Sequence, residues 1–364
     1  MINFTDIAKT INTLDIHHPI WTRTLELAYA RIALAAPGQV VCVIGPPRVG
    51  KSRMSSIIRR MLNLPGISID DPQSLSIGVR ASNCSTNGAF STKDFARKVV
   101  VALNHPILAT SSRDDPKTLI RQETEGAYWL ALERGLPAAG KRYLFIDEAQ
   151  NICRAKGRNG AGSVLDAWKC VAEDTGVVLV LTGTYELHNA MQNSTHMLGR
   201  KSFVHFPRYR VTREDILGFH SILQTYAGYL PLAPELENIL AYSEYLYSGS
   251  LGCIGLLERW FRDALGNAMV RSSPIDLRAL EESRACDTDL AITLEEIIAG
   301  EEMMAARGIE TPALKVAAQS KEPEAVSKEQ SSTKKPRKPR EGKPFVCKPV
   351  RRTAGERVPG EVHV

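Results

Sequence analysis

The sequence predicts an α/β fold: a parallel sheet flanked by helices, followed by a small all-helical domain and a basic tail. Three observations carry this. Short apolar runs, Val40–Ile44, Arg142–Ile146 and Val177–Leu181, alternate with segments of helical period, the pattern of parallel strands buried on both faces. A glycine-framed turn, Gly45–Ser52, joins the first run directly to a helix-patterned segment. From Thr212 to Arg307 the helical period continues and no strand pattern recurs, which sets that stretch apart as a helical unit.

Residues 1–36 read as a helical lead-in. After the break at His18-Pro19, Trp21, Leu25, Ala28, Tyr29 and Ile32 recur at helical spacing until Pro37-Gly38. Residues 37–210 form the α/β domain. After the first strand, Ser52–Leu62 is helical, with Met54, Ile57, Ile58 and Met61 on one face. Ser76–Ala81 reads as a second strand, and Ser91 or Thr92 caps a helix through Phe95, Val99, Ala102 and Leu103. A further helix is predicted over Pro116–Arg134, then the strand Arg142–Ile146, a glycine-rich basic loop at Arg154–Gly162, a helix over Ser163–Asp174 and the strand Val177–Leu181. Residues 211–307 form the helical domain. It opens at Thr212 and Asp215, spaced as a capping box, and continues in helices near Pro234–Tyr247, Leu251–Met269, Pro274–Arg284 and Thr293–Arg307. Residues 308–364 are expected to be a flexible basic tail.

Composition narrows the class. The 364 residues are 43% hydrophobic and 24% charged, ordinary globular values that exclude a wholly disordered or fibrous chain. The net charge of +6 is not spread evenly. Residues 321–364 hold 12 Lys and Arg against 6 acids, whereas residues 1–320 hold 34 of each and are formally neutral. The seven cysteines make no CxxC pair and no ligand-spaced cluster with histidine, so reduced thiols and a cytoplasmic protein are expected rather than a secreted disulfide framework. No apolar run approaches the ~20 residues that cross a bilayer, and no membrane partner is expected.

The chemistry lies in Gly45-Pro46-Pro47-Arg48-Val49-Gly50-Lys51-Ser52, which matches G-x-x-x-x-G-K-[ST], the phosphate loop. A β-branched strand precedes it and an amphipathic helix follows, as that loop requires. Gly45 and Gly50 let successive N–H groups turn toward a phosphate, and the helix N-terminus adds partial positive charge. Lys51 would reach the β- and γ-phosphates of ATP, and Ser52 would ligate Mg2+. Residues 45–53, with Arg53 at the end, and Asp147 make up the expected nucleotide-binding set. Tyr143–Glu148 supplies the companion strand ending in acids: Asp147 would hold the magnesium shell, directly or through water, and Glu148 would polarise the attacking water. Two adjacent acids point to an ATP-hydrolysing enzyme rather than a passive binder. The third apolar strand ends in Thr182-Gly183-Thr184. Its hydroxyls, beside the phosphate-loop strand, are placed to sense the γ-phosphate or the water.

With these residues assembled, the chain resembles the AAA+ ATPases, P-loop NTPases whose helical unit forms a lid. More narrowly it resembles the TniB/TnsC group of transposition regulators, related to the MuB-like target-selection ATPases. The narrower likeness rests on features in order: His18-Pro19 before a helix, GPPRVGKS, Ile146-Asp147-Glu148-Ala149-Gln150-Asn151, and Leu181-Thr182-Gly183-Thr184 with Glu186-Leu187. Leu198-Gly199-Arg200 before an apolar segment ending at Pro207, and Ser250-Leu251-Gly252 opening a lid helix, complete it. The likeness covers roughly residues 15–305. It implies ATP-dependent homo-oligomers, rings or helical filaments around double-stranded DNA, that link a target-selection factor to a transposase. Arg200 holds the position of the arginine finger that reaches the neighbouring subunit's γ-phosphate, with Arg208 or Arg210 as substitutes. Two departures stand out. Gly252 is followed by Cys253-Ile254-Gly255, so the first basic residue after it is Arg259; and Arg48-Val49 replaces the usual Gly-Thr inside the loop.

Sequence-independent DNA binding needs Lys and Arg aimed at phosphates. Two clusters are candidates: Lys93, Arg97 and Lys98 on the helix after the second strand, and Arg154, Lys156 and Arg158 in the basic loop. The tail run Lys334–Arg340 is a third, for DNA or for a docking partner. A helicase loader or insertion-sequence helper ATPase, and a nucleotide-switched scaffold that leaves DNA alone, are the competing readings.

Overall fold

The structure is a computed structural model, and it describes residues 4–14, 16, 18–83, 88–106, 108, 123–156, 160–192, 201–306 and 308. The basic tail, apart from Gly308, lies outside the described residues, as do Arg158 and Arg200.

The sheet has five strands: β1 (Val40–Ile44), β2 (Ser76–Arg80), β3 (Tyr143–Asp147), β4 (Val178–Gly183) and β5 (Lys201–His205). Their order is β2-β3-β4-β1-β5, with all four pairings parallel. Such a sheet needs helical cover on both faces. On one face, Val40, Cys42 and Ile44 of β1, Leu144 and Ile146 of β3 and Leu179 and Leu181 of β4 meet four helices. These are α4 (Thr92–Ala102), α5 (Glu125–Ala138), α6 (Gly160–Thr175) and α7 (Tyr185–Gln192). The opposite face presents Val41, Val43, Tyr143, Phe145, Val178 and Val180 to α2 (Pro19–Ala33), α3 (Lys51–Leu62) and α12 (Asp287–Ala306). The period-2 alternation of strand side chains therefore divides one apolar run between two cores.

The strands expected from apolar runs are all present. β5 was legible only as an apolar segment, because KSFVH mixes polar and apolar residues at the sheet edge. The helix expected over Pro116–Arg134 is described from Glu125 and continues to Ala138, carrying Pro137 in its last turn; residues 109–122 lie outside the described residues. Ser91 is the cap that α4 uses, its hydroxyl accepting from Asp94 N–H at 3.2 Å.

The helical unit contains α8 (Arg213–Tyr229), α9 (Ser243–Ser250), α10 (Ile254–Arg271) and α11 (Leu277–Ser283), around Phe219, Leu223, Tyr226, Trp260 and Phe261. Ile11 of α1 (Phe4–Thr13) is buried in the same cluster. Thr212 caps α8 by accepting from Asp215 N–H at 3.2 Å, but the Asp215 carboxylate accepts from Arg210 N–H at 2.9 Å. The reciprocal bond of the box is thus shifted two residues back. No helix is long and apolar enough to cross a membrane among the described residues.

Helix α12 follows the helical unit in sequence yet shares the core of the sheet layer, with Leu290 and Ile297 buried in the same cluster as Val41 and Phe145. Ile297 is fully buried and its neighbour Ile298 is 41% exposed. Ile297→Ala is expected to cost about 2–5 kcal/mol in urea unfolding, and Ile298→Ala to stay within about 0.5 kcal/mol of wild type. Equal effects would contradict this packing.

Candidate active site

The loops after β1, β3 and β4 all leave the carboxyl edge of the sheet. After β1, the chain passes through Gly45, where a Cβ would fall 2.1 Å from the Phe206 carbonyl oxygen, and reaches Gly50 at φ 103°. A Cβ on Gly50 would meet the Trp21 ring at 2.9 Å. The loop is therefore wedged between the end of β5 and α2, and only glycine fits at its two ends. Arg48 takes the left-handed conformation, φ 61°, without being glycine, a strain of roughly 1–2 kcal/mol. The lid holds it there: Gly255 N–H, in the first turn of α10, donates to the Arg48 carbonyl at 2.8 Å.

Lys51 opens α3, and its ammonium donates to the carbonyls of Gly45 at 3.0 Å and Pro46 at 2.6 Å. Burial lowers its pKa to about 8, against the opposing pull of Glu148, Cys253 and Asp147. Gly50 caps α3 with no side-chain bond, and the N-terminus of that helix carries the partial positive charge that favours an anion. Ser52 and Arg53 are exposed at this end, and Arg53 also donates to the Leu14 carbonyl at 3.1 Å. A cradle closed to side chains, a half-buried cation and the N-terminus of a helix suit the phosphates of a nucleotide.

Asp147 ends β3. Its Oδ1 accepts from the Thr182 hydroxyl at 2.6 Å and from Glu148 N–H at 2.9 Å. Glu148 is left-handed, φ 53°, which turns the chain sharply into the 3-10 segment Ala149–Arg154. Its carboxylate accepts from Gln150 Nε2 at 2.6 Å and lies 3.8 Å from Arg80. Thr184 contributes its backbone N–H, donated to Gln150 Oε1 at 3.3 Å. Thr182 is on β4, which pairs with both β1 and β3. The carboxylate chemistry and the phosphate loop therefore face each other across one strand.

Two parts of the site had no role in the sequence reading. One is Gln150, whose amide joins Glu148 to the β4 loop. The other is a cleft beside Val49 and Gly50, walled by Ile16, His18, Trp21, Tyr226, Ile254 and Glu258. His18 caps α2 by accepting from Trp21 N–H at 3.2 Å on Nδ1, so the Tyr209 hydroxyl at 2.7 Å must donate to the same nitrogen. The His18-Pro19 signal marks this wall. Flat apolar walls with a few polar groups suit a nucleobase.

Of the expected arginines, Arg208 pairs with Glu301 at 3.1 Å and donates to the Leu251 carbonyl at 3.0 Å. Arg210 lies 3.6 Å from the same carboxylate. Both are engaged within the chain, where a finger would have to point outward. On the lid helix, Arg259 pairs with Asp263 at 3.6 Å and Arg262 with Glu258. Arg97 pairs with Asp94 at 3.7 Å, Lys98 bonds the Ser82 hydroxyl, and Lys93 is half-buried on the same helix. Arg154 and Lys156 are exposed. With the Asn83 amide oriented to satisfy its neighbours, its oxygen accepts from Arg154 at 2.9 Å. Lys98 and Arg154 thus both anchor to residues 82–83, and the two basic clusters share the edge beyond β2. The five described free cysteines are not gathered with histidine or carboxylate into a metal site among the described residues.

Lys51 titrates near pH 8 in the nucleotide-free protein, and phosphates raise that value by stabilising the ammonium. Nucleotide affinity is therefore expected to fall as pH rises through about 8. Binding at pH 8.5 should take up protons, read by calorimetry in two buffers of different ionisation enthalpy. Proton release, or none, would contradict the assignment. In the folded protein alone the sign is set by the unfolded chain binding the extra proton: between about 8 and the ordinary lysine value, stability contributed by this group rises with pH.

Residues 36–191 match the AAA domain family. No curated protein matches the chain. Among solved structures, it is similar to the Walker-type ATPase PABY2304 of Pyrococcus abyssi, at 15% identity and a TM-score of 0.46 over 79% of this chain and 74% of that one. It is also similar to the FIGL-1 AAA domain, solved in complex with ADP, at 13% identity and a TM-score of 0.41, over 81% of this chain and 96% of that one. The match over 36–191, on a parallel sheet with its phosphate loop after β1, gives this part of the chain the fold of an AAA-type P-loop ATPase domain.

Proposed function

We propose that this chain binds and hydrolyses ATP with Mg2+ and, in its ATP state, oligomerises on double-stranded DNA without sequence preference as a regulator of DNA transposition. The observation that carries the ATPase reading is the pairing of Lys51 in its carbonyl cradle with the tied acids Asp147 and Glu148, one strand apart. Phosphate oxygens would replace the Gly45 and Pro46 carbonyls at the Lys51 ammonium. The first N–H groups of α3 would receive them, and the cleft beside Gly50 would take the base. Ser52 and Asp147 are the residues that would hold Mg2+, which when bound neutralises charge on the β- and γ-phosphates. Glu148 accepts a proton from the water whose oxygen attacks the γ-phosphorus; the bond to the bridging oxygen breaks and ADP leaves with it.

The DNA and transposition reading is supported by the ordered TniB/TnsC-like motifs and by the convergence of Lys93, Arg97, Lys98, Arg154 and Lys156 on one edge. Phosphate contacts from such a patch give salt-sensitive binding that ignores sequence. Arg200 would complete the site of an adjacent subunit, and a transposase and a target-selection factor are the protein partners this reading requires.

Co-sedimentation with duplex DNA is expected only with ATP or a non-hydrolysable analogue, and to be lost in Lys51→Ala. The double substitution Arg154→Ala/Lys156→Ala should reduce the salt slope of binding by about 2, one per phosphate contact, with ATP affinity unchanged. Nucleotide-independent binding, or no binding at low salt with any analogue, would overturn the DNA reading and favour a scaffold.

A further inference from the structure

The geometry points to Gln150 as a positioning residue for the Glu148 carboxylate, acting as a rigid amide bridge from the acid to the loop after β4. This rests on the ATPase reading above. Gln150 is reached two residues after Glu148, inside the 3-10 turn that the left-handed Glu148 initiates. Its NH2 donates to Glu148 Oε2 at 2.6 Å, and its carbonyl accepts from Thr184 N–H at 3.3 Å. The opposite amide orientation would set oxygen against carboxylate oxygen and NH2 against N–H, so these partners fix its direction.

The fold is built around this amide. A Cβ on Gly183 would fall 2.8 Å from Gln150 Oε1, so the last residue of β4 has no side chain where the amide lies. The ion-pair contact to Glu148 among the described residues, Arg80 at 3.8 Å, comes from a side chain that is 71% exposed, and an exposed pair at that distance confers little restraint. The carboxylate is therefore oriented chiefly by Gln150. Through Thr184 its position is referred to β4, the strand that also carries Thr182 and borders the phosphate-loop strand. A general base must lie within hydrogen-bond reach of its water, about 2.6–3.2 Å, and a misplacement of about 1 Å costs up to ~100-fold in rate.

The test measures ATP turnover and ATP binding in the full-length protein. Gln150→Ala is expected to lower kcat between about 10- and 100-fold while the KM for ATP changes less than about threefold. Gln150→Glu should lose at least as much, since it places a second carboxylate against Glu148. In a Glu148→Ala background, adding Gln150→Ala should leave the residual rate within about twofold, because the bridge then has nothing to orient. Wild-type kcat in Gln150→Ala, a loss carried by KM alone, or a full additional loss in the Glu148→Ala background would overturn the assignment. If the wild-type protein hydrolyses no ATP, the ATPase reading falls and this inference with it. If Gln150→Ala fails to fold, Gln150→Met, of the same length but without the amide donor and with only a weak sulfur acceptor, carries the same expectation.

Discussion

The site depends on β4 standing between β1 and β3. Parallel strands all deliver their following loops to one edge, so the phosphate loop, the acidic pair and the Thr182–Thr184 segment must meet there. The intervening strand sets how far apart they are and carries the groups that join them. The Thr182 hydroxyl bonds Asp147 on one side, and the Gly183 carbonyl accepts from Gly45 N–H at 3.4 Å on the other. Hydrophobic burial on both faces keeps that strand in place: every residue of β4 is buried. Shifting it by one residue would turn its apolar set to the wrong core.

Strain is held at two points on this edge, and each has a visible restraint. Arg48 and Glu148 are both left-handed without being glycine. The Arg48 carbonyl is fixed by a lid N–H, and Glu148 is fixed by Asp147, Gln150 and the Asn151 N–H bonded to its carbonyl at 3.0 Å. Non-glycine residues persist in such conformations where their surroundings over-determine them, commonly at functional sites. The Arg48–Gly255 bond also makes the phosphate loop and the lid one hydrogen-bonded unit, so a change in the loop is felt at the start of α10.

The central strands and the phosphate loop were legible because their physics is local. A doubly buried strand reads as an unbroken apolar run, and a phosphate cradle demands glycines and a lysine at fixed spacing. What escaped was set by tertiary context. The sequence KSFVH of β5 becomes a strand through its pairing with β1, and α7, with only eight residues, was too short to stand out by period. Helix α12 has an ordinary helical pattern that does not say which layer it covers. The cleft beside Gly50 draws its walls from α2, α8, α10 and the N-terminal segment, residues that no spacing rule connects. Gln150 was visible inside an Asp-Glu-Ala-Gln-Asn string, but an amide acquires a role only when its two partners are seen.

The role of Glu148 as the base is read by comparing wild type with Glu148→Gln for ATP affinity and ATP turnover on the same samples. The substitution keeps the size of the side chain and removes its ability to accept a proton. Affinity is expected to stay within a few-fold of wild type and turnover to fall by about 100-fold or more. Equal turnover in the two proteins would contradict Glu148 as the base and, with it, the chemistry assigned to this edge of the sheet.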